Sequence, residues 1–281
     1  MSRLKAINYR LFRLAPLHPV GRKIYALKRR TQTPSQSTST KFFRNLNQLQ
    51  VFEGPLRDLT SRSPLRILVT GCSLGCEAFT IAGYLLQNFK GIEFEIDAID
   101  IDKDAIAHAQ TAMYTQEHGI EQCKDQRQAD TIAGLQKRMF ENVDQTTYHI
   151  KPELRRHVHF TVNNVLSQDL KNHRQYDCVF GQNYMIHMNT ANAQKAFRTL
   201  IDATRPGGVL FAGGIDLDLR TKLSAQYAIK PVSWNIEAIH DADWMRRAAW
   251  PWTYWSLEPI NPKAENFAPR YATIFRKHCS T

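Results

Sequence analysis

Arg66-Ile67-Leu68-Val69-Thr70-Gly71-Cys72-Ser73-Leu74-Gly75-Cys76-Glu77-Ala78-Phe79-Thr80-Ile81-Ala82 is the stretch whose reading decides the fold. Residues 66–70 are a short apolar run of strand character, and residues 78–89 repeat their apolar positions with helical spacing. Between them a seven-residue segment holds Gly71 and Gly75, which allow a sharp backbone turn and close approach of a ligand. Residues 93–99 then alternate as a second strand. A strand that returns through a helix pairs in parallel with the strand that follows. Asp102 is placed to cap a helix running to about residue 113. Further strands are expected at 158–162, 176–180, 208–213 and 271–276. A helix is expected at 191–203, with Arg205-Pro206-Gly207-Gly208 as the turn after it. Residues 120–148 are polar and mixed, and no single periodicity decides them. The sum is an α/β chain with an open, doubly wound, mostly parallel sheet. No internal repeat is present.

A glycine-rich turn between strand and helix serves several nucleotide ligands, so the acids around it carry the distinction. Asp100 ends the second strand, 23 residues after Glu77, where a carboxylate can accept both hydroxyls of a ribose. Glu77 falls where a dinucleotide site would offer a neutral helix N-terminus to a diphosphate. A carboxylate there repels phosphate and suits a ligand carrying an ammonium group, such as S-adenosylmethionine. The alternative for Glu77 is a helix-capping acid facing water.

Five stations agree in order with a known family. Ser73 to Ala82 resembles the Cys-Ser-x-Gly-x-Glu-x-Tyr-Ser-Ile-Ala motif of the chemotaxis-receptor glutamate O-methyltransferases, the CheR type. Thr40-Lys41-Phe42-Phe43-Arg44 is similar to the family's Thr-x-Phe-Phe-Arg. Asp100-Ile101-Asp102 matches its Asp-Ile-Asp, followed by an Ala-rich helix and Tyr114. Phe160 to Val165 resembles Phe-x-x-x-Asn-Leu, and Phe180 to Met188 resembles Phe-Cys-Arg-Asn-x-x-Ile-Tyr-Phe. The resemblance runs from about residue 40 to 216. It implies a Rossmann-like methyltransferase fold, with Gly71, Gly75, Thr40, Arg44, Glu77, Asp100, Asn164 and Val165 around S-adenosylmethionine. Asn164 and Val165 would hold the adenine edge, and Gln182 and Asn183 would lie at a strand end beside the methyl group. Arg44, Asn183 and His187 are then the candidate catalytic residues.

Two departures bear on the acceptor. The family's Arg before Asn is Gln182 here, which removes a bidentate carboxylate clamp, and its Tyr is His187. No inserted hairpin module of the kind that tethers the family's enzymes to receptor tails is evident, and the N-terminal segment is shorter than the family's helical domain. O-methylation of a carboxylate on a protein or small molecule is the leading expectation. Methylation of an amine or hydroxyl, with His187 as base, is a second. A non-catalytic module that binds an acidic partner is a third, against which the joint presence of Glu77, Asp100 and Asn164 argues. His187 itself reads equally as a structural loop residue.

Charge is informative by location. The net charge is +11, and the first acidic residue is Glu53. Eleven of the 37 basic residues precede it, leaving 26 against 26 acids in the remainder. Residues 1–40 are read as a basic helical arm and linker, and residues 41–281 as the methyltransferase domain. Leu4, Ile7, Leu11 and Leu14 recur at helical spacing among Arg3, Arg10 and Arg13; Pro16, Pro19 and Gly21 stop that segment, and a second short helix follows at about 23–30. The arm reads as a solvated helix, a docking helix for an acidic partner, or an Arg-rich transit peptide; nucleic acid is a less favoured partner than protein. Residues 31–40 are Thr/Ser/Gln-rich, as linkers are.

No apolar run approaches the roughly 20 residues needed to span a bilayer. Five scattered cysteines (Cys72, Cys76, Cys123, Cys178, Cys279) fit a reducing compartment, so a cytoplasmic location is expected. His157 and His159 lack companion ligands, so no metal site is read. Asp216 and Asp218 are read as solvated turn residues. Trp234, Trp244, Trp250, Trp252, Tyr254 and Trp255 line an acceptor pocket or complete the core.

Overall fold

A computed structural model describes residues 11–12, 14–31, 40–118, 120, 128–167, 175–242, 250–251 and 258–279. In chain order its regular elements begin with α1 (His18–Thr31), β1 (Leu65–Thr70), α2 (Cys76–Asn88), β2 (Phe94–Asp100), α3 (Lys103–Thr111) and β3 (Met113–Thr115). There follow α4 (Ala129–Met139), β4 (Phe140–Asn142), β5 (Thr147–Ile150), β6 (Val158–Val162), β7 (Tyr176–Gly181), α5 (Thr190–Ala203) and β8 (Thr204–Phe211). The last are α6 (Leu217–Gln226), β9 (Lys230–Pro231), α7 (Ile236–Asp241), α8 (Phe267–Tyr271) and β10 (Ile274–Arg276). The chain divides into two compact units: Ser37–Phe180 with Asp202–Arg205, and Met1–Gln36 with Gly181–Ile201 and Pro206–Thr281.

The first unit is α/β, with strands in the order β6-β2-β1-β7. β1 pairs with β2 in parallel, Ile67 opposite Ile96, and β2 with β6, Ile96 opposite Val158. Arg66 N–H donates to Asp177 at 2.9 Å and Thr70 Oγ1 donates to the Phe180 carbonyl at 3.0 Å, so β7 runs beside β1 in the same direction. The expected mostly parallel sheet is therefore present. Leu65, Ile67, Leu68 and Val69 of β1 are buried, as the near-continuous apolar run of a covered parallel strand requires. Each such side chain contributes about 1.5–3 kcal/mol on burial.

α2 is apolar on nearly every side and packs on α4, whose Ile132, Leu135 and Met139 are buried. The approach is close enough that a Cβ on Gly83 would lie 2.5 Å from the Met139 side chain. Asp102 caps α3 as expected, accepting from the amides of Asp104 and Ala105.

The undecided stretch, residues 120–148, contributes α4, β4 and the start of β5, which with β3 form a three-stranded antiparallel sheet in the order β3-β5-β4. Its β4–β5 hairpin stands between β2 and β6 in sequence, where no inserted hairpin was expected. The strands hold only three or four residues each, too few to set a period, which hid them. They close on an aromatic cluster in which Phe42 stands edge-on to Tyr114 at 4.8 Å and to Phe140 at 4.9 Å.

In the second unit β10 pairs antiparallel with both β8 and β9. Two readings change here. Residues 205–208 form no separate turn: β8 begins at Thr204, and Gly207 (φ 73°) donates to the Lys277 carbonyl while Lys277 donates to Gly208. Two residues of β8 thus oppose one of the partner, a bulge that absorbs the Pro-Gly-Gly run. The last strand is also shorter than expected, because Phe267–Tyr271 is helical before β10 begins. Asp216 is the N-cap of α6, and Asp218 pairs with Arg270 at 2.7 Å; neither is merely a solvated turn residue.

Pro19 and Gly21 do not stop the arm. They lie inside α1, where Pro is tolerated in the first turn. Gly21 sits against Trp250, leaving no room for a Cβ, which would meet the indole at 2.3 Å. Phe12 and His18 both pack edge-on to that ring at 5.8 Å. Trp250 is thus core. Arg22 forks onto Glu258 at 2.7 and 2.9 Å, and Arg270 forks onto the same carboxylate, with the Tyr271 hydroxyl as a further donor. Burial pushes the Glu258 carboxyl up, but the hydrogen bonds from Arg22, His18 and Arg270 outweigh it and hold the group well below the usual carboxylate range. Residues 1–10, Arg13, the linker from 32 to 39, Cys123, Trp244, Trp252, Tyr254 and Trp255 lie outside the described residues.

Candidate functional site

The turn after β1 is built on alternate left-handed residues: Gly71 (φ 64°), Ser73 (φ 50°) and Gly75 (φ 85°). Gly75 is also sterically required, since a Cβ there would lie 2.8 Å from the Phe160 ring. The Tyr114 hydroxyl, on β3, donates to the Leu74 carbonyl at 2.6 Å and ties the turn down from the other side.

Asp100, at the end of β2, faces this turn. Its Oδ2 accepts the Ser73 amide at 2.7 Å and its Oδ1 the Asp102 amide at 3.0 Å. A carboxylate has about four lone-pair directions, so two backbone donors leave capacity for a diol. Asn163 N–H donates to the Asp100 carbonyl at 2.9 Å, which sets the next loop beside the same strand end. In that loop the Asn164 oxygen accepts the Leu166 amide at 2.8 Å, which orients the side chain and leaves its N–H donors for a ligand. Val165 is buried beside it.

Glu77 stands in the first turn of α2 and accepts the Asn45 side-chain amide at 3.1 Å. Burial raises its carboxyl to about 7, against the lowering effects of the Asn45 hydrogen bond and the Arg44 charge. It is therefore no cap facing water. The segment that brings Arg44 and Asn45 is pinned by Phe42, whose amide donates to the His118 carbonyl at 3.0 Å, and by Phe43, whose amide donates to Thr80 Oγ1 at 3.3 Å. Thr40 hydrogen-bonds the buried Cys76 thiol. Thr40, Arg44, Gly71, Gly75, Glu77, Asp100, Asn164 and Val165 all belong to the first unit.

Gln182, Asn183 and His187 belong to the second. Gln182 is buried. Asn183 is left-handed (φ 62°), its amide donates to Gly213 at 3.0 Å, and Gly214 packs against it so closely that a Cβ would meet its Cα at 2.5 Å. Backbone strain held by such packing is common where a side chain must be aimed. His187 closes a single 3-10 turn, Met185–His187.

Asn45 and Tyr114 are the supporting residues whose roles the sequence did not reveal. Asn45 directly follows the matched Thr-x-Phe-Phe-Arg segment, but no spacing rule marks it. Among the described residues no cluster of three or more metal-ligating side chains occurs. His157 is occupied, facing the Phe94 carbonyl at 2.9 Å and stacked on the Phe94 ring. Cys72, Cys76 and Cys178 are buried free thiols, and Cys279 is exposed. No helix among the described residues is long and apolar enough to cross a membrane.

Residues 38–225 match the SAM-binding domain of the CheR methyltransferases. The chain belongs to that family. This CheR-family chain is 27% identical over 176 residues to a chemotaxis protein methyltransferase from Listeria innocua, covering 62% of this chain and 63% of the relative. It is 28% identical over 172 residues to a probable biofilm formation methyltransferase, WspC, from Pseudomonas putida, covering 60% of this chain but 38% of the relative. The match thus spans less than two thirds of either relative. Among solved structures, a TehB-like SAM-dependent methyltransferase from Corynebacterium glutamicum aligns with a TM-score of 0.40 at 13% identity, over 79% of this chain and 85% of that one. The turn, with Asp100 and the half-buried Glu77 beside it, fits S-adenosylmethionine by its chemistry: two acids border the glycines, which disfavours a phosphate and suits a ligand with hydroxyls and an ammonium group.

Proposed function

We propose that this CheR-family chain is an S-adenosylmethionine-dependent methyltransferase that esterifies a carboxylate, on a protein side chain or a small molecule. The observation that carries the reading is the pairing of Glu77 and Asp100 at the two sides of the Gly71–Gly75 turn. Asp100 would accept the ribose hydroxyls, and Glu77 with Asn45 would take the α-ammonium group. The amide donors of Asn164 and the side chain of Val165 would hold the adenine, with Thr40 and Arg44 bordering the methionine end. The bound cofactor supplies a methyl group on a sulfonium, transferred by in-line displacement. What remains for the chain is alignment. A carboxylate acceptor is already ionised near pH 7 and needs orientation and partial desolvation, with no base. Arg44, Asn183 and His187 are proposed for the acceptor on the resemblance of their motifs to the family's. The names of the chemotaxis relatives support a protein acceptor for this chain as well.

Calorimetry with S-adenosylmethionine and S-adenosylhomocysteine tests the cofactor. Labelled-methyl transfer to candidate proteins, scored as alkali-labile ester, tests the acceptor. Absence of cofactor binding sinks the first reading, and alkali-stable label sinks the second in favour of an amine acceptor with His187 as base.

A further inference from the structure

Of the eight large apolar side chains that stand exposed among the described residues, four lie in one short stretch: Leu11, Leu14, Val20 and Leu27. α1 is 14 residues long, about 21 Å. His18, Gly21 and Tyr25 are buried on it, His18 and Gly21 against Trp250 and His18 also beside Glu258. Val20 and Leu27, two turns apart, occupy the opposite side at 50% and 64% exposure, with half-buried Ile24 and exposed Lys23 between them. The helix is therefore held by one face and presents a second apolar face outward.

The sequence that carries that face has one sign of charge. No acidic residue occurs before Glu53, and eleven basic residues do. Arg22 is paired with Glu258 in the fork described above, and Lys23 beside it is exposed. The family match begins at residue 38, so α1 lies outside the matched domain.

We propose that α1, with Leu11 and Leu14 ahead of it, docks the protein on an anionic lipid surface, lying in the headgroup region with Val20, Leu27, Leu14 and Leu11 inserted and the Lys and Arg of α1 on the lipid phosphates. An anionic bilayer rewards both halves of this surface: it takes aliphatic side chains into the acyl boundary and attracts the basic ones. A nucleic acid rewards only the charge, and its phosphates leave aliphatic exposure without a partner. The association is peripheral and reversible, because a few aliphatic side chains insert far less apolar surface than a spanning helix.

Flotation of the full chain with phosphatidylcholine vesicles, with and without an equal part of phosphatidylglycerol, tests the proposal. Binding is expected to the mixed vesicles and not to the neutral ones, falling about tenfold or more from low to high salt. The double variant Val20→Glu/Leu27→Glu should lose about tenfold in vesicle affinity, with far-UV circular dichroism and S-adenosylhomocysteine affinity unchanged. Lys23→Glu should lose less. No binding to the mixed vesicles, equal binding to neutral ones, or an unaffected double variant would each overturn the proposal. Salt-sensitive capture of polyglutamate or duplex RNA without vesicle binding would reassign the surface to a soluble polyanion.

Discussion

Asn45 holds Glu77 from outside its helix, donating at 3.1 Å to a carboxyl that burial has raised to about 7. The folded state therefore binds a proton at Glu77 that the unfolded chain has released, over the interval from about 4.5 to 7. Stability from this group is present at low pH and is lost as pH rises through that window, by up to about 3 kcal/mol. Glu77→Gln should accordingly stabilise the ligand-free protein at pH 8 by about 1–3 kcal/mol, measured by denaturant unfolding. Its affinity for S-adenosylhomocysteine should fall at the same time. In the unmodified protein that affinity should rise about tenfold between pH 6 and 8, since only the carboxylate pairs with an ammonium group, and the variant should show no such slope. A flat profile in the unmodified protein would remove Glu77 from the ammonium site.

Asp100 holds the amides of Ser73 and Asp102 and is proposed to face the ribose diol. Asp100→Ala should weaken S-adenosylhomocysteine by about tenfold or more, a loss of about 1.5–3 kcal/mol in charge-assisted hydrogen bonds. Calorimetry on a variant of native-like circular dichroism decides it, and unchanged affinity would separate Asp100 from the ligand.

Gly75→Ala meets both a left-handed backbone and the Phe160 ring. Strain of this kind costs about 1–3 kcal/mol. The variant should unfold at lower denaturant and bind cofactor poorly, whereas Gly91→Ala, left-handed (φ 74°) but in open space, should lose stability without losing binding. Equal binding losses in the two variants would mean that the turn is not special.

Glu258→Gln leaves Arg22 and Arg270 facing a neutral amide inside the second unit. Breaking a buried pair in this way costs about 3–5 kcal/mol. The carboxylate's depressed pKa means that its stabilisation is present at neutral pH and is lost only as strong acid protonates it. Unfolding midpoints for Glu258→Gln and Arg22→Ala should both drop, the first more than the second because Arg22 is partly exposed.

Acceptor choice is proposed to rest on Gln182 and His187. A neutral amide cannot supply the fork of a guanidinium, so methyl-ester formation on chemoreceptor glutamates should be weak, and Gln182→Arg/His187→Tyr should raise it. Robust ester formation by the unmodified protein would place it among receptor methyltransferases without change.

What could be read in the sequence was local. β1, the glycine turn and α2 are set by adjacent residues, and Asp102 announced its own helix. The links across the chain were not legible. Phe42 finds Tyr114 and Phe140 through contacts about 70–100 residues apart in sequence, and strands as short as β3 and β4 are specified by that cluster, with propensity contributing little. Asn45 looked like any loop amide until Glu77 was placed. The Arg205-Pro206-Gly207-Gly208 run has the composition of a turn, and only its partner Lys277 turns it into a bulge.

The Arg22–Glu258 fork joins residues 236 positions apart, which has a consequence for the order of synthesis. On a ribosome, the stretch from Ser37 to Phe180 is complete long before Glu258 and Arg270 emerge. α1 is made first and yet must wait almost to the end for its carboxylate, with Gly21 meanwhile lacking Trp250. During that interval its apolar and basic faces are both uncovered, so nascent chains stalled before residue 258 should be the form most readily retained by chaperones or by a neighbouring polyanion.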